Sequence, residues 1–173
     1  IIGWLALVGI ALSAMFVIMK LGVDEPISLL ANSYRVDDFG NLFKLLFLGG
    51  TGLIIFMSIG QVKEEEIPHV GELYYLMLPA LLGAMVMVSS GDLITLFVGL
   101  ELLSITSYIL VGMRKRSVKS AEGSFKYVVL GSIASAFILY GISFVYGMTG
   151  TTNISAMYGV LSNNFEANST MIY

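Results

Sequence analysis

Two residues, Glu101 and Lys126, stand inside long apolar runs where an ionisable side chain is out of place. Glu101 lies midway along Gly91 to Met113, ten residues from one end and twelve from the other. If that run crosses a bilayer as a helix, the carboxyl sits near the midplane. A charge there costs at least about 3 kcal/mol and usually faces a bundle interior or a wet cavity. A carboxyl so placed is suited to exchanging a proton, because protonation of such groups answers to charges brought near them. Steps of three, four and seven residues from Glu101 reach Phe97, Ser104, Ile105 and Tyr108, a partly polar helix face. The plainer alternative is a protonated carboxyl bonded to Ser104 or to neighbouring backbone, which would only hold helices together.

Lys126 lies eight residues into the run Val118 to Met148. At helical rise that is about 12 Å below the end of the run, against about 20 Å for Glu101 from the same surface. Adjacent antiparallel helices would allow the two groups to meet, directly or through water, as a proton relay. Glu122, four residues before Lys126, offers a local ion pair in the favoured order instead. On the residues alone both readings stand.

Other reactive side chains point to no further chemistry. There is no cysteine, which excludes disulfides, iron–sulfur ligation and thiolate catalysis by this chain. The single histidine, His69, follows Pro68 behind the acidic stretch Glu64 to Glu66 and reads as a solvated loop residue, short of a metal site. The glycines around Thr51 (Gly49, Gly50, Gly52) lack the Gly-Lys-Ser/Thr of a phosphate loop and read as a bend or a tight helix contact. A formal charge of -3 with no basic patch sets nucleic acid aside.

The elements that must hold these residues are membrane helices. Hydrophobic residues make up 57% of the 173 and charged ones 12%, half the share of an ordinary globular domain. The apolar residues fall into blocks able to cross a hydrocarbon core about 30 Å thick. We therefore expect an all-α integral membrane protein, a bundle of about five transmembrane helices over residues 1–148: about 1–19, 39–62, 72–88, 91–113 and 118–148. Residues 149–173 are expected to form an extracytoplasmic connecting segment, with one weakly amphipathic stretch at Ile154 to Leu161. The first run opens at Ile1 without an initiator methionine, a basic leader or a cleavage site. It reads as a spanning helix of a chain that starts further upstream, not as a signal peptide.

Asp37 and Asp38 are placed to cap the second helix and Asp92 the fourth, so that Ser89 to Asp92 closes a helical hairpin. Arg114, Lys115, Arg116 and Lys119 crowd one membrane edge, which by the positive-inside rule makes loop 114–119 cytoplasmic. Alternation then puts Lys20 to Asp38 outside. Gly131, Ser132, Ala134, Ser135 and Ala136 form a small-residue face that lets a neighbouring helix approach closely.

The stretch from Ser90 to Ser104 (SGDLITLFVGLELLS), with Ser120 to Tyr127 (SAEGSFKY) and Tyr146 to Gly150 (YGMTG), resembles the antiporter-like membrane subunits of respiratory complex I, the N type among them. The resemblance is specific over Ser89 to Gly150. It implies a fourteen-helix subunit in two inverted repeats, of which this bundle is part. It further implies that Glu101 and Lys126 serve proton translocation; helix spacing makes Glu122, Ser104 and Tyr108 the neighbours placed to support them. Such a subunit is a non-redox part of NADH:quinone oxidoreductase in the bacterial inner (plasma) membrane, bound to other membrane-arm subunits, lipid and protons. No cofactor is expected in this chain; NADH, FMN, iron–sulfur clusters and quinone belong to the rest of the complex. The alternatives are a subunit of an Mrp-type sodium/proton antiporter and a membrane scaffold without transport.

Overall fold

Few charges and long apolar runs leave the backbone to satisfy its own hydrogen bonds, which in lipid means helices. The computed structural model describes residues 1–22, 27–62, 67 and 70–163. His69 and Glu64 to Glu66 lie outside the described residues, as do residues 164–173 of the expected connecting segment. Six helices appear among the described residues: α1 (Ile2–Ile18), α2 (Asp38–Ser58), α3 (Val70–Val88), α4 (Leu93–Val111), α5 (Val118–Thr149) and α6 (Ile154–Asn163). By length and composition α2 to α5 are each able to cross a membrane, while α1, at 17 residues, is a shorter apolar helix. The chain is an all-α membrane bundle with one small hairpin attached.

The helix starts follow local chemistry. Asp37 accepts a hydrogen bond from the Gly40 N–H at 2.7 Å, Asp92 from Ile94 at 2.8 Å, and Ser117 from Ser120 at 3.3 Å. Each satisfies an N–H that the first helical turn leaves free. At the other end of α5, Gly150 adopts the left-handed conformation (φ +66°) and its N–H returns to the Tyr146 carbonyl at 2.7 Å. Pro79 lies inside α3 without ending it, a substitution membrane helices tolerate when neighbours supply the missing contacts.

The helices pack in chain order, α1 on α2, α2 on α3, α3 on α4 and α4 on α5. Ala6, Ile10, Leu48, Ile55, Tyr74 and Leu81 form the core between the first three. Of the glycines around Thr51, Gly52 makes ordinary contact with Ile10 of α1, while Gly49 and Gly50 face open space, so the tight helix contact expected there is not formed. The closest approach is between α3 and α4. A Cβ on Gly83 would lie 2.7 Å from the Gly99 carbonyl oxygen, and one on Gly99 would lie 2.9 Å from that of Gly83. The two backbones touch, as small residues permit in lipid. α5 buries only Thr149, at its end, and keeps Phe137, Tyr140 and Phe144 exposed.

Between Lys20 and Asp38, residues 27–36 hold structure that the sequence does not announce. They form a hairpin, β1 (Ile27–Leu29) antiparallel to β2 (Tyr34–Val36), turned by Leu30, Ala31 and Asn32, all with positive φ. This hairpin is fastened to the α3–α4 connection: the Arg35 N–H donates to the Ser89 carbonyl at 2.7 Å and the Gly91 N–H to that of Ser33 at 3.0 Å. Any side chain at Gly91 would strike the Asn32 carbonyl. On the same connection the Leu93 N–H donates to Thr152 at 2.9 Å and the Ile154 N–H to Gly91 at 3.0 Å. Three chain segments thus close one end of the bundle. At the opposite end Lys115 pairs with Glu72 at 3.7 Å.

Candidate functional site

The α4–α5 contact is written in serines. Ser120 donates to the Val111 carbonyl at 2.6 Å and Ser124 to that of Tyr108 at 2.8 Å. Further along the same antiparallel seam, Ser135 donates to Glu101 Oε1. Gly131, between them, leaves room for the Tyr108 ring, whose Cζ would lie 2.5 Å from an added Cβ. Tyr108 in turn packs edge-on against Tyr127, with centroids 4.7 Å apart. Side chain, ring and small residues fix the rotation of α5 so that one of its hydroxyls meets the one carboxylate of α4.

Glu101 is half-buried and looks into a groove of about 580 Å³ between the two helices. Phe97, Ile105 and Tyr108 of α4 and Ser132, Ser135 and Leu139 of α5 line it. The wall is apolar apart from the two serines, the tyrosine and the carboxyl itself. The groove thus brings one carboxyl group together with neighbouring hydroxyls in an otherwise apolar setting.

The other expected site residues fall in different places. Tyr108 lines the groove two turns from Glu101. Ser104 is half-buried on α4 and makes no hydrogen bond to Glu101, whose hydroxyl partner comes instead from α5. Lys126 is not beside Glu101. Its Nζ lies 2.5 Å from Glu122 Oε1, one turn back on α5, and both side chains are more than half exposed. Nine residues, about 13 Å of helix, separate it from Ser135. The Glu101–Lys126 meeting that the sequence allowed is absent from this arrangement, and the local Glu122 pair is present. The small-residue face at Gly131 to Ala136 was a visible signal for α5 packing, but a sequence alone does not say that Ser135 faces the carboxyl. Among the described residues no three His, Cys, Asp or Glu side chains group as a metal site.

Comparison with known proteins bears on the same region. The family described as NADH:quinone oxidoreductase/Mrp antiporter, transmembrane, matches residues 90–173, from the start of α4 onward. The chain is 56% identical to NADH-quinone oxidoreductase subunit N of Brevibacillus brevis over 155 residues, 89% of this chain and 30% of that protein. It is 48% identical to the protein of the same name from a Paenibacillus species, over all of this chain and 36% of the relative. The chain therefore spans about a third of the length of the curated relatives it matches. Among solved structures it is similar to a chain of respiratory complex I from Thermus thermophilus, with TM-score 0.73 and 30% identity over 92% of this chain and 36% of that one. It is also similar to a chain of an archaeal membrane-bound sulfane sulfur reductase, with TM-score 0.80 and 28% identity over 90% and 34%.

Proposed function

We propose, from the fact that this chain belongs to the family of NADH-quinone oxidoreductase subunit N, that it forms part of a membrane-arm subunit of proton-translocating NADH:quinone oxidoreductase. In this reading Glu101 is the proton-bearing group of a half-channel, and quinone reduction elsewhere in the complex biases its protonation through a chain of buried charges. Coulomb coupling in a low-dielectric interior is the means, since one charge at a few ångströms alters a neighbour's proton affinity strongly. The observation that supports the reading is the Glu101 carboxyl at mid-helix, half-buried in the groove between α4 and α5 and bonded to Ser135.

Lys126 enters as the next group along the path, released when its Glu122 partner changes charge. Loop 114–119 lies on the cytoplasmic side of a bacterial plasma membrane, which puts the hairpin end outside. Residues 1–148 are the spanning bundle and the following segment an extracytoplasmic connection to the rest of the subunit. Other membrane-arm subunits, lipid and protons are its partners. NADH, FMN, iron–sulfur clusters and quinone act in other parts of the complex, and this chain's contribution is a translocase step without redox chemistry. Sodium/proton exchange of the Mrp type has support in the family description, which covers both, whereas the relatives above carry the subunit N name. Replacing Glu101 by Gln in the assembled complex and counting protons moved per NADH tests the proposal. Loss of pumping supports it, and wild-type pumping removes it.

A further inference from the structure

α4 and α5 meet at Glu101 and from there differ in length. Toward the hairpin end α4 runs from Glu101 back to Leu93, about 12 Å, while α5 runs from Ser135 on to Thr149, about 21 Å. Over this stretch α5 keeps Phe137, Tyr140 and Phe144 exposed. Among the described residues no side chain of Leu93 to Leu100 forms a hydrogen bond to it. The serines that set the rotation of α5 reach Glu101 and stop there.

The chain that follows α5 supplies the missing hold. At Gly150 it turns in the left-handed conformation, and the buried Thr149 hydroxyl donates to the Thr151 carbonyl at 3.0 Å. It then meets the start of α4 in antiparallel fashion, with Asn153 bridged to Asp92 and the Leu93 N–H on the Thr152 carbonyl. A side-chain bond closes the contact. The Thr152 hydroxyl donates to Asp92 Oδ2 at 2.5 Å, sixty residues away in sequence, while Asp92 Oδ1 accepts from the Ile94 N–H at 2.8 Å. One carboxylate thus caps α4 with one oxygen and fastens the far end of α5 with the other. The hydroxyl is the part of this contact that a side-chain change removes while the backbone bonds stay.

We propose that Thr152 is a positioning residue for Glu101. Its bond to Asp92 and the Ser124–Tyr108 bond hold α5 on either side of Ser135, and the Ser135 hydroxyl stays in line with the Glu101 carboxyl because both are made. A hydrogen bond weakens steeply as its angle departs from linear, so a helix end that swings loses this bond well before it leaves the bundle. The inference rests on the proton-translocating reading above for its effect on pumping, and on the two tied helices alone for the contact itself.

The test uses the assembled complex in sealed vesicles, with subunit content checked on native gels. Thr152→Val keeps the shape and loses the hydroxyl, and Thr152→Ser keeps the hydroxyl. Two quantities are read: the infrared band of the Glu101 carboxyl, identified as the one lost in Glu101→Gln, and the pumping rate during NADH oxidation. Thr152→Val is expected to shift the band in the same direction as Ser135→Ala and to slow pumping by up to about tenfold, with Thr152→Ser close to wild type. In a Ser135→Ala background it slows pumping no further, since two changes acting through one contact do not add. A band that Thr152→Val leaves in place overturns the proposal. So does a slowing of the same size in both backgrounds, a serine variant no better than valine, or wild-type pumping by Thr152→Val where Ser135→Ala is slow. If the valine variant does not assemble, Thr152→Ala is judged by the same criteria. Normal pumping by Glu101→Gln defeats the channel reading, and the band alone then decides on Thr152.

Discussion

The Ser135 hydroxyl of α5 donates a hydrogen bond to Glu101 Oε1 of α4, joining the middles of two spanning helices. A bond to a charged acceptor is worth roughly 1.5–3 kcal/mol, enough to orient the carboxyl toward α5.

Ser135→Ala therefore slows proton pumping roughly tenfold, the change that about 1.4 kcal/mol produces, with assembly unchanged. Ser135→Thr, which keeps the hydroxyl, restores most of the rate. Pumping assays on the two variants in reconstituted complex check this, and equal rates for Ala and wild type would show the bond to be incidental.

At the α3–α4 crossing the close atoms are backbone, which has no rotamer with which to yield. Gly83→Ala and Gly99→Ala each lower stability by about 1–3 kcal/mol through overpacking. Valine at either position prevents assembly. Thermal unfolding of the purified complex and subunit content in membranes give the answer, and an unshifted melting temperature for both alanine variants contradicts the geometry.

The Lys126–Glu122 pair separates structure from transport. An exposed pair at this spacing contributes roughly 0.3–0.5 kcal/mol, so Glu122→Gln leaves thermal stability almost unchanged. Lys126→Met is equally harmless to stability but, on the proposed reading of Lys126 as the next proton carrier, lowers the pumping rate. A Met variant that pumps normally would reduce Lys126 to a surface pair.

Much of the fold was legible from local chemistry. Asp37 and Asp92 cap the helices their types predicted, and the apolar runs are helices. The hairpin was not legible, for two physical reasons. Its turn puts Leu30, Ala31 and Asn32 at positive φ without a glycine to signal it, and its strands are held by Ser89 and Gly91, far along the chain. The burial of Lys44 on α2, 4% exposed with its Nζ 5.2 Å from the centre of the Tyr34 ring, was hidden for the same reason, since Tyr34 belongs to that hairpin. At the candidate site the depth of Glu101 could be counted from the ends of its run. Its partner could not, because the rotation of one helix against another is set by the seam as a whole: Ser120, Ser124, Gly131 and Ser135 together turn α5 toward α4. Residue counting allowed Lys126 either to approach Glu101 or to pair with Glu122 one turn back on its own helix, and the structure holds the second arrangement.

The most direct measurement is proton translocation per NADH oxidised by the whole complex carrying Glu101→Gln, in sealed vesicles, after its assembly has been verified. Glutamine keeps the size and the Ser135 contact but carries no exchangeable carboxyl proton. Our account predicts that the ratio falls well below wild type while the variant still assembles. An unchanged ratio would contradict it and leave Glu101 as a helix-to-helix tie.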